Sequence, residues 1–183
     1  MVLKKLLENK TFAIVGNSPK ELGLRKGPHI DSHDIVFRFN NFDTGPDYSD
    51  DYGSKTDVWV CSFCKDINFI MLDRVKVLCP LPLNNEHHLK KYGNTNIEMY
   101  RKILPECIPV DYFNELIKDI PNPSTGLAFL YWVYKEIGEI NPNDIFGFSF
   151  FDKGFKHHYF DEDDRCGHDG ELEKKFAMKW IFK

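Results

Sequence analysis

The sequence predicts an α/β fold built on a largely parallel, twisted sheet that is flanked by helices. Short apolar runs rich in β-branched and aromatic residues alternate along the chain with helical patterns. Several of these runs are apolar on both faces, which is typical of strands that helices cover from both sides. We describe the expected architecture as Rossmann-like.

Five runs are predicted as strands, because each is bounded by Gly, Pro, Asn or Asp. They cover residues 11–15, 34–39, 57–61, 75–78 and 144–148. The stretch 42–52, with the sequence FDTGPDYSDDY, is predicted as a surface loop.

Helices are predicted at residues 110–118, 124–137 and 169–181, and a weaker pattern at 87–104 is interrupted by Gly93. The second of these is well delimited, since Pro123 precedes it, Ser124 can cap it and Gly138 can end it. In the last helix, positions 172, 176, 177, 180 and 181 describe one apolar face.

Length and composition favour one domain covering residues 1–183. The formal net charge of −4 gives no basic excess, so nucleic acid is not an expected partner. No apolar run approaches the roughly 20 residues of a membrane span. An odd number of cysteines, five, without an export signal favours reduced thiols and a cytoplasmic location.

The pair Cys61 and Cys64 has the spacing of half a zinc site or of a redox motif. A zinc site needs a second pair, whereas Cys79, Cys107 and Cys166 stand alone. We therefore interpret the cysteines as small hydrophobic residues near a buried strand and expect no bound metal.

Polar residues follow the first two predicted strands. Gly16, Asn17 and Ser18 leave the first strand in a small-residue turn, and Asn40 ends the second strand. Open α/β sheets bind ligands at the carboxyl ends of their strands. The turn is equally compatible with a tight strand exit, but the Asn amides could bind a base or ribose hydroxyls.

The residues Ser124, Thr125 and Gly126 begin a long apolar helix. They offer two hydroxyls and free backbone N–H groups at the positive end of the helix dipole, a combination that can bind an anion. A plain Ser cap is the alternative interpretation.

Histidines are concentrated near the C-terminus, where His168 stands just before the last predicted helix. The helix dipole there disfavours the imidazolium form, while nearby acids favour it. His168 could fold back to Glu173, whose carboxylate would then fix the tautomer and orientation of the ring. His157 and His158 are expected to point to opposite faces of an extended segment, which disfavours a metal site. A solvated loop is the alternative.

Taken in order, these segments resemble the motifs of the eukaryotic-type sialyltransferases, glycosyltransferase family 29. The block 12–63 contains the G-N-S turn, the run GPHIDSHDIVFRFN and the segment GSKT. PSTGLAFLYW with FGFSFF downstream resembles the family's small motif, and HYFD its third motif. His168 with Glu173 five residues later resembles the very small motif.

The resemblance implies a GT-A-like variant of the fold and an inverting enzyme that needs no metal or other cofactor and uses CMP-sialic acid. Asn17, Ser18 and Asn40 would hold the CMP moiety. The residues that begin the long helix, together with Tyr159, would contact the nucleotide and the donor. His158 would donate to the phosphate, and His168, supported by Glu173, would be the general base.

Two departures from the family pattern affect the expected setting. Phe12 and Asn122 occupy the neighbourhoods of two cysteines that form a disulfide in the family, and no Golgi-type anchor is evident. We expect a short microbial or viral member that is cytoplasmic, with peripheral contact at the inner face of a membrane as a further option, and with a glycan or glycolipid acceptor. A CMP-Kdo transferase and a CMP-binding protein without transferase activity are the alternatives.

Overall fold

The computed structural model describes residues 2–64, 66–69, 75–83, 95–150, 156–161 and 167–182. Six strands form one sheet in the order β5-β4-β3-β2-β1-β6, and each neighbouring pair is parallel. The strands are β1 (Phe12–Val15), β2 (Ile35–Phe39), β3 (Val58–Val60), β4 (Lys76–Cys79), β5 (Glu106–Cys107) and β6 (Ile145–Phe146). The predicted α/β class is confirmed.

Seven α-helices lie in the described part of the chain. They are α1 (Val2–Leu7), α2 (Gly27–Asp31), α3 (Ser49–Tyr52), α4 (Ile97–Ile103), α5 (Val110–Asp119), α6 (Thr125–Ile137) and α7 (Gly170–Phe176). Helix α6 begins at the predicted cap, where the Ser124 hydroxyl accepts a hydrogen bond from the Leu127 N–H, and it ends at Gly138.

The sheet is buried on both faces because strand side chains alternate between two cores. Phe37 and Phe39 of β2 point to one face, where their rings contact Phe129 of α6 at centroid distances of 5.0 and 5.6 Å. Val36 points to the opposite face and joins a core that contains Tyr52. All five residues of β2 are buried, as the apolar pattern predicted.

The strand order places a topological switch point between β1 and β6. The chain builds the sheet outward from β1 to β5 and then returns to add β6 on the other side of β1. The loops that leave β1 and β6 therefore separate at their carboxyl ends and open a crevice, which is where open α/β sheets bind ligands.

Three local predictions were wrong in extent or type. The strand predicted at 144–148 ends at Phe146, because Gly147 adopts a left-handed φ of 64° and turns the chain. The predicted surface loop 42–52 contains α3, and Tyr52 is fully buried. Strand β5 was missed, since two residues carry no detectable periodicity.

The last predicted helix changes type along its length. Helix α7 ends at Phe176 and a wider π-helical turn covers Ala177–Ile181. Because the wider turn shifts the phase of the side chains that follow Phe176, Trp180 is 48% exposed although the α-helical period placed it on the apolar face. Leu172, which was placed on the same face, lies in the first turn of α7 and is 39% exposed. The weaker pattern at 87–104 corresponds to α4, and residues 84–94 lie outside the described residues.

No helix within the described ranges has the length and apolar character needed to cross a bilayer. The organisation as one domain over residues 1–183 stays a prediction.

Candidate active site

An open cavity of about 160 Å³ lies at the switch point of the sheet. It is bounded by the residues that follow β1, β2 and β6, by the first turn of α6 and by the histidines near the C-terminus. Eight of the ten residues predicted for the site line it: Asn17, Ser18, Asn40, Ser124, Thr125, Gly126, His158 and His168. The other two, Tyr159 and Glu173, are buried behind it.

The turn after β1 presents two buried polar atoms to the cavity region. The Asn17 amide nitrogen donates to the carbonyl oxygens of Phe39 (3.1 Å) and Asn41 (2.9 Å), which fixes the orientation of the amide. The Asn17 Oδ1 and the Ser18 Oγ are buried, and neither has a hydrogen-bond partner among the described residues. Buried polar atoms are normally paired, so both are candidates for contact with a ligand.

Asn40 connects the end of β2 to the start of α6. Its Oδ1 accepts hydrogen bonds from the N–H (2.9 Å) and the hydroxyl (3.1 Å) of Ser62, and its Nδ2 lies 3.5 Å from the Thr125 hydroxyl. The residue has a left-handed φ of 46°, a conformation that Asn tolerates better than most residues. Its side chain is therefore held in a fixed position at the cavity wall.

The ring of Phe148 explains why the second residue of α6, Gly126, is a glycine. A Cβ on Gly126 would stand 2.7 Å from the Phe148 Cε1, and a Cβ on Gly16 would stand 2.8 Å from its Cε2. The turn after β6 also approaches the turn after β1 closely, since a Cβ on Gly147 would lie 2.4 Å from the Gly16 carbonyl oxygen. The ring thus packs between the exit of β1 and the first turn of α6.

Glu173 binds the N-terminus of α6 from α7. Its two carboxylate oxygens accept hydrogen bonds from the Ser124 N–H (2.6 Å) and the Ser124 hydroxyl (2.7 Å), and the side chain is buried. Burial raises the pKa of Glu173, while the two bonds from Ser124 and the nearby His168 oppose that rise.

These contacts bear on the predicted roles of Glu173 and Ser124. Glu173 was expected to orient His168, but its described hydrogen bonds go to Ser124. The Ser124 hydroxyl accepts from the Leu127 N–H and donates to Glu173, so its proton is already committed. The N–H groups of Thr125 and Gly126, which have no acceptor one turn earlier in the helix, remain for an anion.

His168 is half-buried, and a main-chain carbonyl orients its ring. Its Nδ1 lies 3.0 Å from the carbonyl oxygen of Asn122. A carbonyl only accepts hydrogen bonds, so the Nδ1 carries the proton, and in the neutral ring the Nε2 is the unprotonated nitrogen. A neutral Nε2 of this kind can accept a proton from a ligand hydroxyl.

His157 and His158 both line the cavity, against the prediction that they point to opposite faces. Their rings stack at a centroid distance of 4.2 Å, and His158 also stacks on Phe160 at 5.0 Å. The segment is a bent turn and not an extended strand, so successive side chains can face the same way. The His158 Nδ1 pairs with the Asp161 carboxylate at 2.9 Å, which fixes the orientation of the ring.

Tyr159 supports the site from behind. Its hydroxyl exchanges hydrogen bonds with the main chain of Asp43, its N–H donates to the Asn17 carbonyl, and its ring stacks on Tyr52 at 3.9 Å. Burial raises the pKa of Tyr159 to about 12, although the bond from the Asp43 N–H and the charge of Arg38 lower it. The residue positions the β1 turn and does not line the cavity.

Sequence reasoning missed three residues that shape the site. Phe148 was part of a quoted motif but was assigned no role. Glu21 is buried and its carboxylate accepts a hydrogen bond from the Gly147 N–H at 3.1 Å, which holds the β6 turn. Asn122 was noted only as a departure from a family pattern. A carboxylate just after a strand exit was the available signal for Glu21.

The described ranges contain no group of three or more His, Cys, Asp or Glu side chains that could hold a metal ion. Cys61 and Cys79 are free and buried, and Cys64 and Cys107 are free and half-buried, while Cys166 lies outside the described residues. Metal independence stays a prediction.

Comparison with known proteins supports the family resemblance. The sequence profile of glycosyltransferase family 29 (sialyltransferase) matches residues 4–67. CMP-N-acetylneuraminate-beta-galactosamide-alpha-2,3-sialyltransferase 1 of Mus musculus is 29% identical over 94% of this chain and 57% of that protein. The Gallus gallus protein of the same name is 30% identical over 92% of this chain and 56% of its own length. The chain thus spans a little over half the length of these relatives.

Solved structures show the same fold. A crystal structure of a mammalian sialyltransferase superposes with a TM-score of 0.68 at 23% identity, over 96% of this chain and 67% of that one. A mammalian sialyltransferase in complex with Gal-beta-1-3GalNAc-ortho-nitrophenol gives a TM-score of 0.64 at 24% identity. The predicted resemblance to family 29 and the GT-A-like fold are confirmed.

Proposed function

We propose that this chain, which resembles glycosyltransferase family 29, transfers sialic acid from CMP-sialic acid to a glycan hydroxyl in a single inverting displacement. One observation carries the proposal: His168, with its Nδ1 protonated, lines the same cavity as the first turn of α6. A proton acceptor and an anion-binding helix start therefore face one space in which a sugar carbon can react.

His168 supplies the base in this scheme. As the acceptor oxygen forms its bond to the anomeric carbon of the sugar, its proton passes to the His168 Nε2. The bond from the same carbon to the CMP phosphate oxygen breaks, and CMP leaves with that electron pair. General-base assistance of this kind contributes about 10²- to 10⁴-fold to the rate.

The first turn of α6 and His158 stabilise the departing phosphate. The N–H groups of Thr125 and Gly126 lie at the positive end of a helix of 13 residues, where an anion is favoured. His158, which pairs with Asp161, is the donor of a hydrogen bond to a phosphate oxygen in this scheme. These groups supply the stabilisation without a metal or other cofactor.

The turn after β1 would bind the nucleoside. The buried Asn17 Oδ1 accepts hydrogen bonds, so it suits an amino or hydroxyl group of the ligand and not a phosphate oxygen. Ser18 and Asn40 complete this side of the cavity. Ser124, Glu173 and Tyr159 act by positioning these groups.

The acceptor is proposed by analogy with the relatives. Their name specifies a beta-galactosamide, and one structural neighbour holds Gal-beta-1-3GalNAc-ortho-nitrophenol. A glycan that ends in galactose is therefore the first acceptor to test. A cytoplasmic location, with peripheral contact with a membrane that carries the acceptor, is part of the proposal.

The test measures product formation with CMP-sialic acid and with CMP-Kdo, in the presence and absence of EDTA, for wild type, His168→Ala and His29→Ala. We expect transfer from CMP-sialic acid that EDTA does not reduce. His168→Ala should lower turnover by about 10²-fold or more with CMP binding retained, and the surface variant His29→Ala should match wild type. CMP binding without any transfer would refute the proposal, and near-normal turnover of His168→Ala would remove the base role.

A further inference from the structure

The loop between α5 and α6 contacts the C-terminal histidine segment through one residue, Asn122. Its main-chain oxygen accepts a hydrogen bond from the His168 Nδ1 at 3.0 Å. Its side-chain Nδ2 donates to the Gly167 carbonyl oxygen, also at 3.0 Å. One residue therefore binds two successive residues that lie 45 and 46 positions later in the chain.

The two bonds have different effects. The main-chain oxygen determines which ring nitrogen of His168 carries the proton. It can do so only while the ring stays within reach, which depends on the position of the chain at Gly167, the residue before His168. Gly167 is exposed, and a Cβ built on it would meet no atom within 4 Å. The hydrogen bond from the Asn122 side chain therefore holds the chain at a point that packing leaves loose.

Asn122 is itself well anchored. Pro121 and Pro123 flank it, and the fixed φ of proline limits the conformations of this loop. Ser124, two residues later, is bound by the buried Glu173 through two hydrogen bonds. Because the loop is fixed on both sides, Asn122 can transmit a defined position to His168.

We propose that Asn122 is a positioning residue that holds His168 in the Nδ1-protonated form with its Nε2 directed at the reacting hydroxyl. The proposal rests on the proposed function only for the identity of the reaction. Small displacements of a catalytic group are costly, since a misplacement of about 1 Å can lower a rate by about 10²-fold.

The experiment compares wild type with Asn122→Ala and Asn122→Leu. Leucine is similar in size to asparagine but cannot donate to Gly167. Asn96→Ala is the matched control, because the Asn96 side chain makes one comparable bond, to the Met99 N–H at the start of α4. Thermal melting first confirms that each variant is folded.

Two readouts are measured. Long-range proton–nitrogen correlation spectra of histidine-labelled protein report the tautomer of His168, which is assigned with His168→Ala. Kinetics with CMP-sialic acid, together with CMP titration, separate turnover from nucleotide binding. We expect both Asn122 variants to shift the ring toward the Nε2-protonated form and to lower turnover by about tenfold or more with unchanged CMP affinity. The control should match wild type.

An unchanged tautomer in both Asn122 variants would overturn the proposal, and so would a shifted tautomer with unchanged turnover. If wild type transfers nothing from any CMP-sugar, the proposed function fails, and the tautomer of His168 alone then decides whether Asn122 positions the ring.

Discussion

Replacing Glu173 by glutamine tests whether the two ends of the candidate site are joined through Ser124. The wild-type carboxylate accepts two hydrogen bonds from this one residue, at 2.6 and 2.7 Å, and it is 1% exposed. Glutamine keeps one accepting oxygen and replaces the other with an NH₂ group that cannot accept. One buried donor of Ser124 is then left without a partner.

The expected loss of stability follows from this one unpaired donor. A buried donor without a partner costs about 1–3 kcal/mol. Because burial raises the pKa of Glu173, keeping its carboxylate charged at neutral pH already has a cost, which the neutral amide removes. We therefore expect Glu173→Gln to lower the free energy of unfolding by about 1–2 kcal/mol, or roughly 2–8 °C in melting temperature.

Glu171→Gln is the matched control. Glu171 is two residues away on α7, but its pair with Lys175 is exposed to solvent and should contribute little to stability. Urea unfolding of both variants, followed by circular dichroism, measures the difference. Equal losses would refute the argument.

The pH dependence provides the second part of this assay. The native pKa of Glu173 lies above its ordinary value of 4.5, so the native state holds the proton more tightly than the unfolded state. This group's contribution therefore makes the free energy of unfolding fall as pH rises from about 4.5 through the raised native pKa, and Glu173→Gln should abolish that part. An identical pH profile in wild type and Glu173→Gln would contradict the raised pKa of Glu173.

Two further substitutions test the cavity wall. Gly126→Ala should destabilise the fold by about 1–3 kcal/mol, because its Cβ would meet the Phe148 ring at 2.7 Å. The control Gly167→Ala places its Cβ in open space and should leave the melting temperature unchanged. Equal melting temperatures for the two variants would show that the Phe148 ring moves aside without cost. Asp161→Asn should raise the KM for the CMP-sugar by up to about fivefold, because His158 loses its carboxylate partner at 2.9 Å. An unchanged KM would count against that pair.

The sheet could be predicted because strands buried on both faces leave continuous apolar runs in the sequence. β1, β2, β3 and β4 were found within one or two residues of their bounds. The errors occur where local pattern and tertiary structure disagree. Tyr52 lies in a polar stretch, yet it is fully buried because its hydroxyl donates to the Ser18 carbonyl and its ring stacks on Tyr159.

In the candidate site, too, local patterns could be predicted and tertiary contacts could not. Sequence motifs identified its residues, because strand exits and a helix start in a parallel sheet meet at one edge. The choice of partners could not be predicted in this way. Glu173 was expected to bind His168, five residues earlier, but its described hydrogen bonds go to Ser124, 49 residues earlier. That choice depends on how α7 packs against the start of α6, for which sequence spacing gives no information.

The hydrogen bonds between Glu173 and Ser124 also make the terminal helix a reporter of ligand occupancy. A ligand that requires the ordered start of α6 favours conformations in which α7 stays docked. By the same linkage, undocking of α7 weakens the binding of that ligand. Amide hydrogens of the final turn should then exchange more slowly when CMP is bound, although the residues of that turn do not line the cavity. A chain whose last dozen residues have frayed can keep an intact sheet and still lack a competent anion site.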